Sequence, residues 1–108
     1  MSSRADPIII VGGGLGGAAM ALALGRAGRR VRLLESAAEF GVIGYGIQLG
    51  PNVFPMFDRL GVREAARRVC DVPTTVRMRD AFSGDNVTEV PTGRESFTAR
   101  FKHPYIIV

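Results

Sequence analysis

Gly12, Gly14 and Gly17 stand in G-x-G-x-x-G register, and Glu35 follows at the end of the next apolar run, Val31-Arg32-Leu33-Leu34. Glycines at this spacing suit the binding of a diphosphate. The first permits a tight turn, the second lets the backbone approach a phosphate with no Cβ in the way, and the third lets a helix pack close to a strand. A helix starting there adds free N–H groups and the positive end of its dipole. Glu35 is placed to accept hydrogen bonds from ribose hydroxyls.

These residues need a strand, a helix and a second strand to hold them. Ile8 to Val11 is a short unbroken apolar run, as expected of a parallel strand buried on both faces. An alanine-rich stretch then predicts a helix that closes at Gly28, a C′ residue, with Arg26 complementing the dipole near that end. Strand, glycines, helix, second strand and terminal acid therefore fall in the order of one βαβ unit. The charge-free run from Pro7 to Gly25 also has the length of a membrane span or signal segment. Its five glycines between Gly12 and Gly17 argue against that, since glycine costs about 1 kcal/mol relative to alanine inside a helix.

At 108 residues and 46% hydrophobic content the chain has room for a core but only about half of a six-stranded dinucleotide-binding fold. The run Tyr105-Ile106-Ile107-Val108 reads as a strand with no turn after it, so the expectation is the N-terminal part, residues 1–108, of one larger domain. All but one of the 14 basic residues are arginine, dispersed along the chain, which argues against a nucleic-acid footprint despite the net charge of +4. The cluster Arg63, Arg67 and Arg68 with Glu64 reads as a solvated helix face, Glu64 pairing with Arg68. A single cysteine, Cys70, excludes an internal disulfide and reads as a packed thiol in a reducing, cytoplasmic setting.

Further along, Ser36 to Phe40 is short and helix-tolerant, and Gly41, Gly44, Gly46 and Gly50 then forbid a regular helix. That second glycine stretch predicts an extended segment approached closely by a ligand or a neighbouring strand. Asn52 is the expected N-cap of a helix ending at Gly61, with Phe54 and Phe57 in the core. A second helix, Arg63 to Val69, is expected to bury Ala65, Ala66 and Val69. Val76 and Met78 alternate with Arg77 and Arg79, and Val87 to Val90 alternates again after Ser83-Gly84-Asp85-Asn86, which predicts a hairpin with one wet face. Pro91 to Lys102 is poorly patterned, and His103, with no ligand or catalytic partner at useful spacing, reads as structural.

The stretch Phe40-Gly41-Val42-Ile43-Gly44-Tyr45-Gly46-Ile47-Gln48-Leu49-Gly50-Pro51-Asn52 resembles the F-G-E-I-G-A-G-I-Q-L-G-P-N segment of single-component FAD-dependent aromatic hydroxylases. Met56 to Val62, the Arg79-Asp80 hairpin and Pro104-Tyr105-Ile106-Ile107 continue the likeness over nearly the whole chain. Within that group the chain looks most like 3-hydroxybenzoate 6-hydroxylases, with salicylate and 6-hydroxynicotinate hydroxylases as relatives. A nonenzymatic dinucleotide-binding module is the alternative of a different class. The resemblance implies an α/β fold, the βαβ start of a Rossmann-like FAD-binding domain with an added β-hairpin. It implies FAD as cofactor, NADH or NADPH as co-substrate, a phenolic acid and O₂ as the other substrates, and a soluble, homodimeric parent enzyme of which this segment alone would be inactive. Carried over by residue, Gly12, Gly14 and Gly17, with the backbone of Leu15 and Gly16, would hold the pyrophosphate of FAD. Glu35, with Ser36 beside it, would hold the adenosine ribose. Gly44, Tyr45, Gly46, Ile47 and Gln48 would run beside the flavin ring. Val42 and Tyr45 depart from the glutamate and small residue usual in the group, and the substrate-binding and catalytic residues of the group lie outside this sequence.

Overall fold

The structure is a computed structural model describing residues 6–41 and 46–108. It divides into two compact units, Met1–Ile43 and Gly44–Val108.

In the first unit, β1 (Ile8–Val11) pairs in parallel with β2 (Val31–Leu34), Ile8 opposite Val31 and Val11 opposite Leu34. The crossover is α1 (Leu15–Arg26), which packs on both strands. Of its half-buried positions, Gly17, Ala21 and Leu24 recur at i, i+4, i+7, the spacing of one helix face, with Ala19 beside them. The helix ends as expected, with Gly28 left-handed at φ +73 and its N–H donating back to the Gly25 carbonyl. The two faces of β1 differ in burial within this chain. Ile9 is 60% and Val11 84% exposed, because successive side chains alternate and α1 covers only the side of Ile8 and Ile10. Residues 36–39 bend after β2 and form no helical turn.

The second unit opens with β3 (Gln48–Leu49), a 3₁₀ turn (Pro51–Val53), α2 (Phe54–Leu60) and α3 (Arg63–Val69). The hairpin β4 (Thr75–Arg79) and β5 (Asn86–Pro91) follows, then a π-helical turn (Arg94–Thr98) running into α4 (Ala99–Phe101), and finally β6 (Ile106–Ile107). β6 pairs antiparallel with β3, Gln48 opposite Ile107 and Leu49 opposite Ile106, so the unit's first and last elements are zipped together. Among the described residues the buried apolar side chains are Phe54 and Ile106, and the buried polar one is Thr92. Phe57, expected in the core, is half-buried and meets the buried Phe54 edge-on at 5.9 Å.

Several local expectations change here. Asn52 caps no helix: Pro51 starts a 3₁₀ turn first, closed by the Val53 N–H on the Gly50 carbonyl, and α2 grows directly from it. The left-handed stop at Gly61 (φ +69) is as expected. In α3, Ala65 is exposed, Ala66 half-buried and Val69 68% exposed, while Glu64 lies 3.6 Å from Arg68 as the i,i+4 pair predicted. The hairpin forms in the predicted place, clasped by Arg77–Glu89 at 2.7 Å, yet every residue of β5 is exposed, so both of its faces are wet. The unpatterned stretch after Pro91 is ordered by Thr92, whose hydroxyl donates to the Pro73 carbonyl at 2.8 Å and whose N–H donates to the Thr74 carbonyl.

Candidate glycine-loop site

At the end of β1 the chain turns at Gly12 with φ +100, a conformation that favours glycine, and its N–H donates to the Leu34 carbonyl at 2.7 Å. Gly14, extended, caps α1 with no side chain involved, and the first turn carries no acidic residue. The first i→i−4 bond of the helix runs from the Ala18 N–H to the Gly14 carbonyl. The N–H groups of Leu15, Gly16 and Gly17 therefore have no partner within the helix, and no carboxylate in the first turn offsets the dipole.

Space around the loop is divided sharply. A Cβ at Gly12, Gly14 or Gly16 would meet nothing within 4 Å. One at Gly17 would run into the backbone carbonyl oxygen of Gly12 and reach the Leu33 side chain, which is the close helix–strand approach predicted for the third glycine. At Gly13, which the motif leaves free, two side chains crowd the Cβ side. A Cβ there would lie 2.5 Å from Phe40 Cε1 and 2.9 Å from Glu35 Oε2.

Glu35, one residue beyond β2, turns its carboxylate back toward the loop. The Gly13 N–H donates to Oε2 at 2.6 Å, while the Ala37 N–H (2.8 Å) and the Ser36 hydroxyl (3.2 Å) donate to Oε1. The Ala37 and Gly13 amides hold its pKa below the ordinary glutamate value, and Glu35 is an acceptor-only carboxylate at neutral pH. Such a carboxylate has about four lone-pair sites, so three protein donors leave room for another hydroxyl. Spacing alone misses the Gly13 bond; the signal is the parallel register, which sets Val11 opposite Leu34 and hence Glu35 beside the loop.

Within the second unit, Gly46 is left-handed at φ +75, and a Cβ there would press on Ile107 Cγ2 at 3.3 Å. The Ile47 N–H donates to the Val108 carbonyl (2.7 Å) and the Val108 N–H returns to the Ile47 carbonyl (3.0 Å). The close approach predicted for the second glycine stretch is thus made to a strand on this side. Gln48 Oε1 accepts from the Tyr105 hydroxyl at 2.5 Å, a bond across 57 positions that no local pattern announces. Gly44 and Tyr45, and the departure at Val42, lie outside the described residues. His103 stacks on Phe54 at 4.9 Å, in keeping with a structural role. Among the described residues no helix is long and apolar enough to cross a membrane.

An open glycine loop, unpaired helical N–H groups and an ionised carboxylate at the end of the second strand suit a diphosphate joined to a ribose. Comparison with known proteins agrees. The FAD binding domain family matches residues 5–106. The chain is 49% identical over 102 residues to the 3-hydroxybenzoate 6-hydroxylase of Polaromonas naphthalenivorans (strain CJ2), covering 94% of this chain and 25% of that protein. It is 50% identical over 100 residues to the Klebsiella oxytoca enzyme of the same name, covering 93% and 25%. The chain thus spans about a quarter of the length of these relatives. The crystal structure of p-nitrophenol 4-monooxygenase PnpA from Pseudomonas putida DLL-E4 shares the fold at a TM-score of 0.79 and 24% identity, over 94% of this chain and 25% of that one. The chain belongs to the FAD binding domain family.

Proposed function

We propose that residues 1–108 are the N-terminal part of the FAD-binding domain of a flavin-dependent monooxygenase. Its reaction is the hydroxylation of a phenolic aromatic acid, 3-hydroxybenzoate at the 6-position, with NADH or NADPH and O₂. The observation that carries this reading is the glycine loop joined to Glu35, in a chain half identical to two proteins named 3-hydroxybenzoate 6-hydroxylase. FAD, when bound, accepts hydride from the nicotinamide and activates O₂.

The chain's own contribution is to bind and orient. Gly12, Gly14 and Gly17 shape the loop, and the N–H groups of Leu15 and Gly16, with the dipole of α1, would hold the pyrophosphate. Glu35, ionised and already steadied by Gly13, Ser36 and Ala37, accepts from a ribose hydroxyl. Gly46, Ile47 and Gln48 would run beside the flavin ring, with Gly46 left-handed and Tyr105 holding Gln48 in place.

The test is NADH and NADPH oxidation by the purified full-length parent enzyme with 3-hydroxybenzoate and with salicylate, followed by identification of the product. Stimulation by 3-hydroxybenzoate with formation of the 2,5-dihydroxy acid is the expected result. Absence of flavin from the purified full-length enzyme would sink the proposal.

A further inference from the structure

We propose that a cavity in the second unit binds a small ligand through a phosphate dianion. The cavity, about 490 Å³, lies within the usual size range of small-molecule sites, about 300–1,000 Å³. Its walls come from three separate segments: Arg63 and Arg67 of α3, Arg94 and Thr98 of the π-helical turn, and Lys102 and His103 of the turn before β6. No carboxylate lines it.

The charges decide the ligand class. Arg63 is paired with Asp58, and Arg67 lies 3.5 Å from Glu64, both acids lying outside the cavity lining. Arg94 and Lys102 have no ion pair among the described residues, which leaves two positive charges uncompensated. That matches a phosphate group, which carries a charge of about −1.5 to −2 at neutral pH. Guanidinium forks recognise phosphate oxygens in pairs, and the ammonium of Lys102 adds a point charge. Thr98 stands in the same wall, and its hydroxyl is buried without a hydrogen-bond partner among the described residues. Phe54, stacked with His103, and Ile106 give the cavity an apolar floor for the ligand's body. Cations drawn together from three elements repel one another, and an anion among them relieves that repulsion.

Lys102 provides a clean test. It is left-handed at φ +65, where glycine is at ease, so Lys102→Gly removes the charge without harming the backbone. Inorganic phosphate and adenosine monophosphate are titrated calorimetrically into the purified protein, with benzoate as the carboxylate comparison. Saturable phosphate binding is expected, weakened roughly tenfold by Lys102→Gly and by Arg94→Gln, with adenosine monophosphate tighter than phosphate and benzoate weaker. No saturable binding of phosphate in the millimolar range would overturn the proposal. So would binding that both variants leave unchanged, which would put the anion on another surface. Benzoate binding tighter than phosphate, and lost in the same variants, would make the cavity a carboxylate site instead.

Discussion

The Gly13 N–H donates to the Glu35 carboxylate at 2.6 Å, so the glycine loop and the end of the second strand are tied together by the residue proposed to hold the ribose. Replacing the carboxylate therefore disturbs loop and ligand together. Glu35→Gln keeps the shape but lacks the charge and turns one acceptor into a donor facing the Gly13 or Ala37 amide. A loss of FAD affinity of roughly tenfold or more is expected, read from quenching of flavin fluorescence.

The same tie is pH-dependent. The folded pKa of Glu35 lies below its ordinary value, so the clasp is fully present above the ordinary glutamate range and is lost as pH falls through the folded value. The Gly13 and Ala37 amide resonances should hold steady from neutral pH down to the acid range and then shift together below pH 4.5, the ordinary value. A midpoint above 4.5 would contradict the geometry.

Two glycines of the loop should respond oppositely to alanine. At Gly17 the new Cβ meets the Gly12 carbonyl oxygen, and overpacking of that kind costs about 1–3 kcal/mol. At Gly16 the space is open within α1, and alanine gains up to about 1 kcal/mol of helix propensity. Urea midpoints of the two variants check the contrast, and a Gly17→Ala protein as stable as the parent would refute the close helix–strand contact.

Thr92 is 2% exposed, and its hydroxyl donates to the Pro73 carbonyl at 2.8 Å. Thr92→Val preserves volume and leaves that carbonyl without this donor, at a cost of about 1–3 kcal/mol. Thr92→Ser keeps the donor and should recover most of the loss. Denaturant unfolding of the pair separates the hydrogen bond from packing.

Lys102 is the only non-glycine residue with positive φ among those described. Lys102→Gly relieves a left-handed conformation worth roughly 1–2 kcal/mol per residue, partly offset by glycine's greater freedom in the unfolded chain. A net rise in Tm of a few degrees is expected by calorimetry.

What was legible in the sequence was what neighbouring residues settle among themselves. The apolar runs 8–11 and 31–34, the glycines between them, the Gly28 and Gly61 helix ends and the hairpin turn all rest on local sterics and period, and all formed where expected. The resemblance over the second glycine stretch pointed to the family in the same way, because it rests on residue types in order. Reading failed where a distant partner chose. Thr92, by bonding Pro73 across 19 positions, ordered a segment with no periodicity. Ile9, Val11 and Val69 stay exposed because burial depends on what packs above a face, which period alone does not specify. Only the parallel register set Glu35 against Gly13, crowding the motif's free position with the Glu35 and Phe40 side chains. Tertiary structure alone also gathered Arg63, Arg67, Arg94 and Lys102 around one cavity, since residues dispersed along a chain acquire a shared field only when the fold brings them within reach.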